Sequence, residues 1–133
     1  MRGALTAAGR DPRRRVRRLL SLCLTGVLSV VYLWVGLSAH PPAVLSRLPD
    51  AATHSVGYGV LSWAAVASTL AWRMPFPWAL AGGYSLGHGA LLELLQSTTA
   101  SRLAEWRDLM WDGVGTATAL GAAAALRRRR CGS

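Results

Sequence analysis

The sequence predicts an all-α fold, namely a polytopic membrane protein built as an antiparallel bundle of four transmembrane helices. Two observations predict this class. Hydrophobic residues make up 52% of the 133 residues, and they are gathered into four long apolar blocks. All fifteen basic residues are arginines, and eleven of them lie in the terminal segments outside those blocks. Apolar blocks that exclude charge are typical of membrane spans and not of a soluble core with a basic surface.

The first block, 19–39, contains 21 residues without a charge. As a helix it covers the roughly 30 Å of a bilayer's hydrocarbon core. Residues 1–18 are polar and basic, and we expect them to form a disordered cytoplasmic tail. A cleaved signal peptide is the alternative for this block. Because the block is long for a signal sequence and three more blocks follow, we expect it to be retained as the first span.

Three further spans are expected at about 52–72, 78–96 and 108–126. A second basic cytoplasmic tail is expected at 127–133. The first span ends at His40-Pro41-Pro42, because proline removes a backbone donor and clashes with the preceding turn. Trp72 and Trp78 flank the short connection between the second and third spans, as tryptophans do at a membrane interface. The polar segment 97–107 separates the last two spans.

The arginine distribution predicts the orientation. Seven arginines precede the first span and four follow the last, so the positive-inside rule predicts a multi-pass protein of the plasma membrane with both termini cytoplasmic. The run from Arg13 to Arg18 serves as a topology signal or binds anionic lipid headgroups. Since this rule already explains the arginines, the expected partner is the lipid bilayer and not a nucleic acid. Oligomeric state is left open.

Cysteine usage and motif searches predict no disulfide and no cofactor. The expected topology puts Cys23 and Cys131 on the reducing side of the membrane, where structural disulfides are rare. The chain contains no nucleophile elbow, phosphate loop or dinucleotide fingerprint. Whether the protein catalyses a reaction is therefore left open.

A carboxylate and an amide, Glu93 and Gln96, interrupt the apolar third block. On a helix they share one face with Gly82 and Gly89. A charged Glu93 facing lipid would cost roughly 2.5–3.5 kcal/mol near the middle of a span. We therefore expect this face to point at other helices or at water, and we expect Glu93 to have a partner.

The predicted topology brings polar residues from distant parts of the chain to the outer ends of the spans. Some of these residues lie at the start of the second span, others lie at the end of the third span, and the rest lie in the outer loop and at the start of the fourth span. The candidate polar pocket consists of Asp50, His54, Tyr58, Glu93, Gln96, Arg102, Asp108 and Asp112. A shared depth for these residues is typical of a functional site.

Several members of this pocket have alternative roles. Asp50 is a site acid or an N-cap of the second span, and it lies at the right spacing to pair with His54. Glu93 and Arg102 form an ion pair that locks two spans together, or they belong to the site. The residue types suit a hard or borderline metal ion, but no compact ligand spacing is present. We therefore predict no metal.

Small residues repeat at every fourth position on the third and fourth spans. This spacing allows two helix backbones to approach closely. We expect these two helices to pack through the repeats. The candidate helix-packing residues are Ala79, Gly83 and Gly87 on the third span and Gly113, Gly115, Ala117 and Gly121 on the fourth.

The order and spacing of the pocket residues resemble those of the VanZ-like membrane proteins. The resemblance rests on Asp50, His54 and Tyr58 in the first motif, Glu93 and Gln96 in the second, and Arg102, Asp108 and Gly115 in the third. It covers about 50–122. Two positions depart from the family pattern: Ala51 replaces the usual lysine, and Asp112 replaces the usual asparagine.

The resemblance implies a role in the cell envelope. The founding member of that family is associated with low-level resistance to the lipoglycopeptide-type antibiotic teicoplanin. We expect a protein that binds or alters a lipid-linked envelope precursor or its surroundings. A small transporter or proton relay and a purely structural bundle are the alternatives. The departures replace a cation with an apolar residue and add a carboxylate, which weakens the case for an anion and makes a cationic or metal ligand slightly more plausible.

Overall fold

The computed structural model describes residues 11–40, 42–99 and 105–132. They form four α-helices and one short 3₁₀ turn, and no strand occurs among them. The helices are α1 (Pro12–Leu37), α2 (Asp50–Ala71), α3 (Pro77–Gln96) and α4 (Trp106–Cys131), and the 3₁₀ turn is Leu45–Arg47. The predicted all-α class with four helices is confirmed.

The first helix begins earlier than expected. The Asp11 side chain caps it by accepting a hydrogen bond from the Arg13 amide at 3.0 Å, and Pro12 occupies the first helical position. Both residues favour a helix start, because the carboxylate satisfies a free amide and proline needs no partner there. The expectation of a disordered tail is therefore wrong for residues 12–18, and residues 1–10 lie outside the described part.

The basic residues after the fourth block are also helical, because α4 continues to Cys131. Arginine is a good helix former, and cations near a helix C-terminus are favourable to its dipole. The basic segment expected as a second tail at 127–133 is therefore helical as far as residue 131, and its cytoplasmic location remains a prediction.

The start of α2 differs by one residue from the expected cap. Pro49 occupies the N-cap position and makes no side-chain cap bond, so Asp50 is the first helical residue. The prediction that Asp50 is the N-cap is wrong. Proline at position 49 has backbone angles that suit the residue before a helix, and a carboxylate in the first turn still complements the helix dipole.

Contacts between helix ends establish that each helix runs opposite to its neighbour in the chain. Arg18 donates from Nε to the Ala71 carbonyl at 3.0 Å, which joins the start of α1 to the end of α2. Gln96 donates to the Gly36 carbonyl at 2.9 Å, so α1 and α3 end together. We call the end where α2 and α4 begin the acidic end, and the opposite end the arginine end.

The closest approach of two helices is between α2 and α4. A Cβ atom added to Gly59 would lie 3.4 Å from the Gly115 carbonyl oxygen, and one added to Gly115 would overlap the Ser55 carbonyl. Only glycine permits this distance between two parallel backbones. Gly115 is thus a packing residue as predicted, although its partner is α2 and not α3.

The prediction that α3 and α4 pack through their small-residue repeats is wrong. These residues are exposed, except for half-buried Gly113 and buried Gly115, and nothing lies within 4 Å of a Cβ added to Gly83, Gly87 or Gly121. The reason is rotation of each helix about its axis. Because the polar faces with Glu93 and Asp112 turn inward, the opposite faces with the repeats turn outward; Ala79, Gly83, Gly87, Ala117 and Gly121 lie on these outer faces.

The interior of the bundle is more polar than its exterior. Ten polar or charged residues and eight hydrophobic residues are buried among those described. Interior hydroxyls bind each other across helices, as Thr25 with Ser68 at 3.0 Å and Ser62 with Thr116 at 3.0 Å. Large apolar side chains such as Val30 instead point outward. This distribution is the reverse of that in a soluble helix bundle, where the apolar stripe faces the core.

By length and hydropathy alone, one helix in the described ranges is suited to cross a membrane. It is α1, whose most apolar window is only 11% buried. Its position near the N-terminus is also that of a signal sequence, so these two properties are weak evidence.

Candidate functional site

His54 is the centre of the polar cluster at the acidic end. Its Nδ1 lies 2.8 Å from Oδ1 of Asp112, and its Nε2 lies 3.5 Å from Oδ2 of Asp108. The two aspartates lie four residues apart, so they share one face at the start of α4. Because α2 and α4 start at the same end and pack closely, that face meets the second turn of α2.

Asp112 is the most deeply buried member. Its side chain is 1% exposed, and its Oδ2 has no hydrogen-bond partner among the described residues. That oxygen contacts Gly89 of α3, where an added Cβ would overlap it. Glycine at position 89 therefore provides the space that the carboxylate occupies. A buried carboxylate with an unpartnered oxygen is costly unless another group compensates it.

Glu93 approaches the cluster from the last turn of α3. Its Oε2 accepts a hydrogen bond from the Glu105 amide at 2.8 Å, whereas its Oε1 is buried and unpartnered in the described part of the chain. One nitrogen or oxygen atom from each of His54, Glu93 and Asp108 lies within 4.8 Å of the others. Three helices thus contribute to one cluster, which we call the His54 cluster: His54, Glu93, Asp108 and Asp112.

A cavity of about 150 Å³ adjoins His54 between α1, α2 and α3. Its walls combine apolar side chains with exposed Asp50 and buried Gln96. The lining residues are Tyr32, Val35, Gly36, Leu45, Asp50, Thr53, His54, Gly57, Tyr58, Leu92 and Gln96. His54 belongs to both the cavity and the cluster, so a group in the cavity can reach the imidazole.

A second polar chain runs from the cavity into the bundle. Nε2 of His88 lies 3.1 Å from the Ser29 carbonyl, which can only accept a hydrogen bond, so this nitrogen carries the proton. Nδ1 of the same ring is hydrogen-bonded to the Tyr58 hydroxyl at 3.0 Å. Tyr58 also stacks beside His54, with ring centroids 6.4 Å apart. His88 of α3 therefore joins α1 and α2 through hydrogen bonds.

The structure brings most of the predicted pocket together, with two qualifications. Both ring nitrogens of His54 face α4 aspartates and not Asp50, although the sequence spacing allowed an Asp50–His54 pair. Asp50, Tyr58 and Gln96 line the cavity beside the cluster. Arg102 lies outside the described residues, and its expected pair with Glu93 remains a prediction.

Sequence reasoning missed the contribution of α1. Tyr32 and Gly36 form part of the cavity wall, and an added Cβ on Gly36 would lie 2.7 Å from Leu92. The first block contains no charge that could have indicated a site. The available signal was Tyr32 one helical turn before Gly36, a pair that carries no charge.

The arrangement offers two kinds of chemistry. If Nδ1 of His54 donates its proton to Asp112, Nε2 presents a lone pair toward Glu93 and Asp108. Such an imidazole is suited to accept a proton from a bound group or to bind a metal ion. The cluster also concentrates negative charge, because three carboxylates surround one ring.

Comparisons with known proteins find no match for the chain among protein-family models, curated proteins or solved structures.

Proposed function

We propose that this chain is a VanZ-like, multi-pass protein of the plasma membrane that acts in the cell envelope. Its four helices are the spans, both termini are cytoplasmic, and the cluster and cavity at the acidic end face outward. There the pocket binds or alters a lipid-linked envelope precursor or its surroundings. The observation that carries this proposal is the convergence of His54, Glu93, Asp108 and Asp112 from three helices.

The polar interior supports four spans. An apolar exterior around a hydrogen-bonded interior is unfavourable in water but suits a bilayer, where backbone and hydroxyl groups must be satisfied internally. Val30, Val56 and Leu94, on three different helices, are all more than 60% exposed. Only α1 contains a stretch apolar enough to meet the hydropathy test for a span among the described residues, since α2 to α4 also carry inward-facing polar residues.

The positions of the arginines support the orientation. Ten of the twelve described arginines lie at the arginine end, and only Arg47 and Arg107 lie near the acidic end. Arg18 also lies over the Trp72 ring at 5.5 Å, a pairing that suits the membrane interface. The positive-inside rule then puts the acidic end outside.

Reporter fusions test the orientation. A reporter inserted in 97–105 should be accessible from outside the cell, while one fused to either terminus should be cytoplasmic. A cytoplasmic signal from the 97–105 insertion would contradict the proposal, because the pocket would then face the wrong compartment.

Two substitutions test the pocket. Glu93→Gln and Asp112→Asn keep side-chain shape but remove charge, and we expect both to change sensitivity to teicoplanin-type and other cell-wall antibiotics. Thermal unfolding in detergent is measured in parallel, with Asp11→Asn at the arginine end as the control. A changed phenotype at unchanged stability supports a site. Loss of both together indicates a structural role, and an unchanged phenotype contradicts the proposal.

A proton relay is the second candidate, and one observation favours it. Buried polar side chains continue inward from the cluster. The Tyr58–His88 pair ends at the Ser29 backbone carbonyl, whereas the separate Ser29 hydroxyl binds the Tyr84 hydroxyl at 2.6 Å, so the relay requires a bridging group such as a water between His88 and that hydroxyl. Proton flux into proteoliposomes tests this function. A relay predicts flux that falls in His88→Phe, and no flux above empty liposomes removes this candidate.

A further inference from the structure

We propose that the His54 cluster binds a divalent transition-metal ion of the zinc class. The ligands are Nε2 of His54 and one carboxylate oxygen each from Glu93 and Asp108. Imidazole with carboxylates is a donor set that suits zinc and its first-row neighbours, whereas magnesium and calcium prefer oxygen ligands alone.

The distances fit such an ion. Ligand atoms about 2.0–2.2 Å from a tetrahedral zinc ion lie about 3.3–3.6 Å from each other. Nε2 of His54 and Oδ2 of Asp108 are 3.5 Å apart. The ligand atoms of all three residues lie within 4.8 Å of one another. A side-chain movement of about 1 Å closes the longest gap to a tetrahedral edge.

Asp112 acts as a positioning residue. Its Oδ1 accepts the Nδ1 proton of His54 at 2.8 Å, which fixes the tautomer and leaves the Nε2 lone pair free for a metal. Histidines that bind metals commonly donate their other ring proton to a carboxylate in this way. The sequence did not show this link, because positions 54 and 112 lie on different helices.

Among the described residues, the cluster contains more carboxylates than positive groups. Within the described residues, the ion-pair partner of Asp108 and of Asp112 is His54, so one imidazole faces three carboxylates. Oε1 of Glu93 is buried and unpartnered, and so is Oδ2 of Asp112, whose side chain is 1% exposed. The Asp112 oxygen is the independent indication of a missing positive group, because buried carboxylates are normally paired or bind a metal.

The role of the ion, though not its binding, rests on the proposed function. Three protein ligands leave a coordination position open, as in catalytic zinc sites. An anionic group such as a phosphate oxygen would fill that position and be held beside otherwise repulsive carboxylates. The pocket could therefore accept a phosphate-bearing lipid headgroup although alanine occupies position 51, where lysine would supply a cation.

The experiment uses the full chain in detergent, stripped with a chelator and titrated with zinc chloride. We expect about one zinc ion per chain, measured by elemental analysis and calorimetry. Cobalt(II) should give the visible absorption of a tetrahedral site. Asp108→Asn and His54→Ala should weaken binding by more than roughly 100-fold, and Asp112→Asn by roughly 10–100-fold. Asp11→Asn and His40→Ala, the same residue types at exposed positions, should bind as the wild type does.

Folding of each variant is checked by circular dichroism and gel filtration, and Glu93→Gln provides a second ligand variant should Asp108→Asn unfold. Zinc binding that is substoichiometric, or equal in the ligand and control variants, would overturn the proposal. Binding of magnesium or calcium without zinc would overturn it as well.

The two proposals fail separately. If wild-type protein binds no zinc but Glu93→Gln changes antibiotic sensitivity at unchanged stability, the metal site is wrong and the proposed function stands. If Asp108→Asn loses zinc and no pocket variant changes antibiotic sensitivity, the metal site stands and the proposed function is wrong.

Discussion

Two faces of α4 carry small residues, and only one of them is packed. The inner face contains Asp108, Asp112 and Gly115, and it meets α2 and α3. The outer face contains Ala117 and Gly121, both exposed. Small side chains permit close approach on either face. The aspartates select the inner one, because carboxylates turned toward an apolar exterior would be far more costly than exposed alanine or glycine.

The largest expected effect separates these faces directly. Gly115→Ala adds a Cβ that overlaps the Ser55 carbonyl, so α2 must move away from α4. We expect a loss of about 3 kcal/mol in the free energy of unfolding. Gly121→Ala meets open space, and better helix propensity should stabilise the protein by roughly 0.5–1 kcal/mol. Reversible unfolding in mixed micelles measures both.

The two substitutions are expected to change the free energy of unfolding in opposite directions, so they distinguish a packed face from an unpacked one. Equal destabilisation by Gly115→Ala and Gly121→Ala would mean that the outer face also packs, for example against a second copy of the chain. Cross-linking at position 121 would then distinguish an interface between copies from a change within the chain.

The second expected effect concerns the matching faces of α3. In Gly89→Ala the new Cβ overlaps Oδ2 of Asp112, which must rotate and weaken its hydrogen bond to His54. We expect a loss of about 2 kcal/mol in unfolding free energy. Gly87→Ala, two residues away and facing open space, is the matched control. Similar stability for the two variants would contradict the described position of the Asp112 carboxylate.

The faces of α3 show what the sequence can predict. The spacing of Gly82, Gly89, Glu93 and Gln96 predicted one inward face, and these residues are buried or half-buried. The prediction succeeded because polar groups interrupt an apolar block, so their cost fixes the rotation of the helix. The small residues of the repeats cost little on either face of the helix. Their spacing alone therefore could not predict the interface, and the predicted α3–α4 packing through them was wrong.

The sequence predicted most of the residues that lie together at the acidic end, but it did not predict which of them contact each other. Asp50, four residues before His54, is the partner that the sequence makes available, because only local spacing is visible in a sequence. Its actual partner, Asp112, is supplied by the parallel approach of α4 at Gly115. The early start of α1 was missed because the arginines suggested a tail, although Asp11-Pro12 is itself a helix-start signal.

The third expected effect tests the pairing within the inner face. Asp112→Ala leaves Nδ1 of His54 without its acceptor in a buried position, and we expect a loss of about 1.5 kcal/mol. Asp112→Asn keeps a side-chain oxygen for the same hydrogen bond, so its loss should stay below about 1 kcal/mol. Unfolding of both variants and the histidine ring NMR signals check this. Equal losses would indicate that the charge, and not the hydrogen bond, stabilises the fold.

The smallest expected effect lies deeper on the same interface. Ser62 donates to Thr116 at 3.0 Å, and both residues are buried between α2 and α4. Interhelical hydrogen bonds in membranes contribute about 0.6 kcal/mol on average, because the alternative state also finds partners. A double-mutant cycle with Ser62→Ala and Thr116→Val should give a coupling of that size. A coupling well above about 2 kcal/mol would mean that hydroxyl pairs, and not the fit of Gly115, hold α2 against α4.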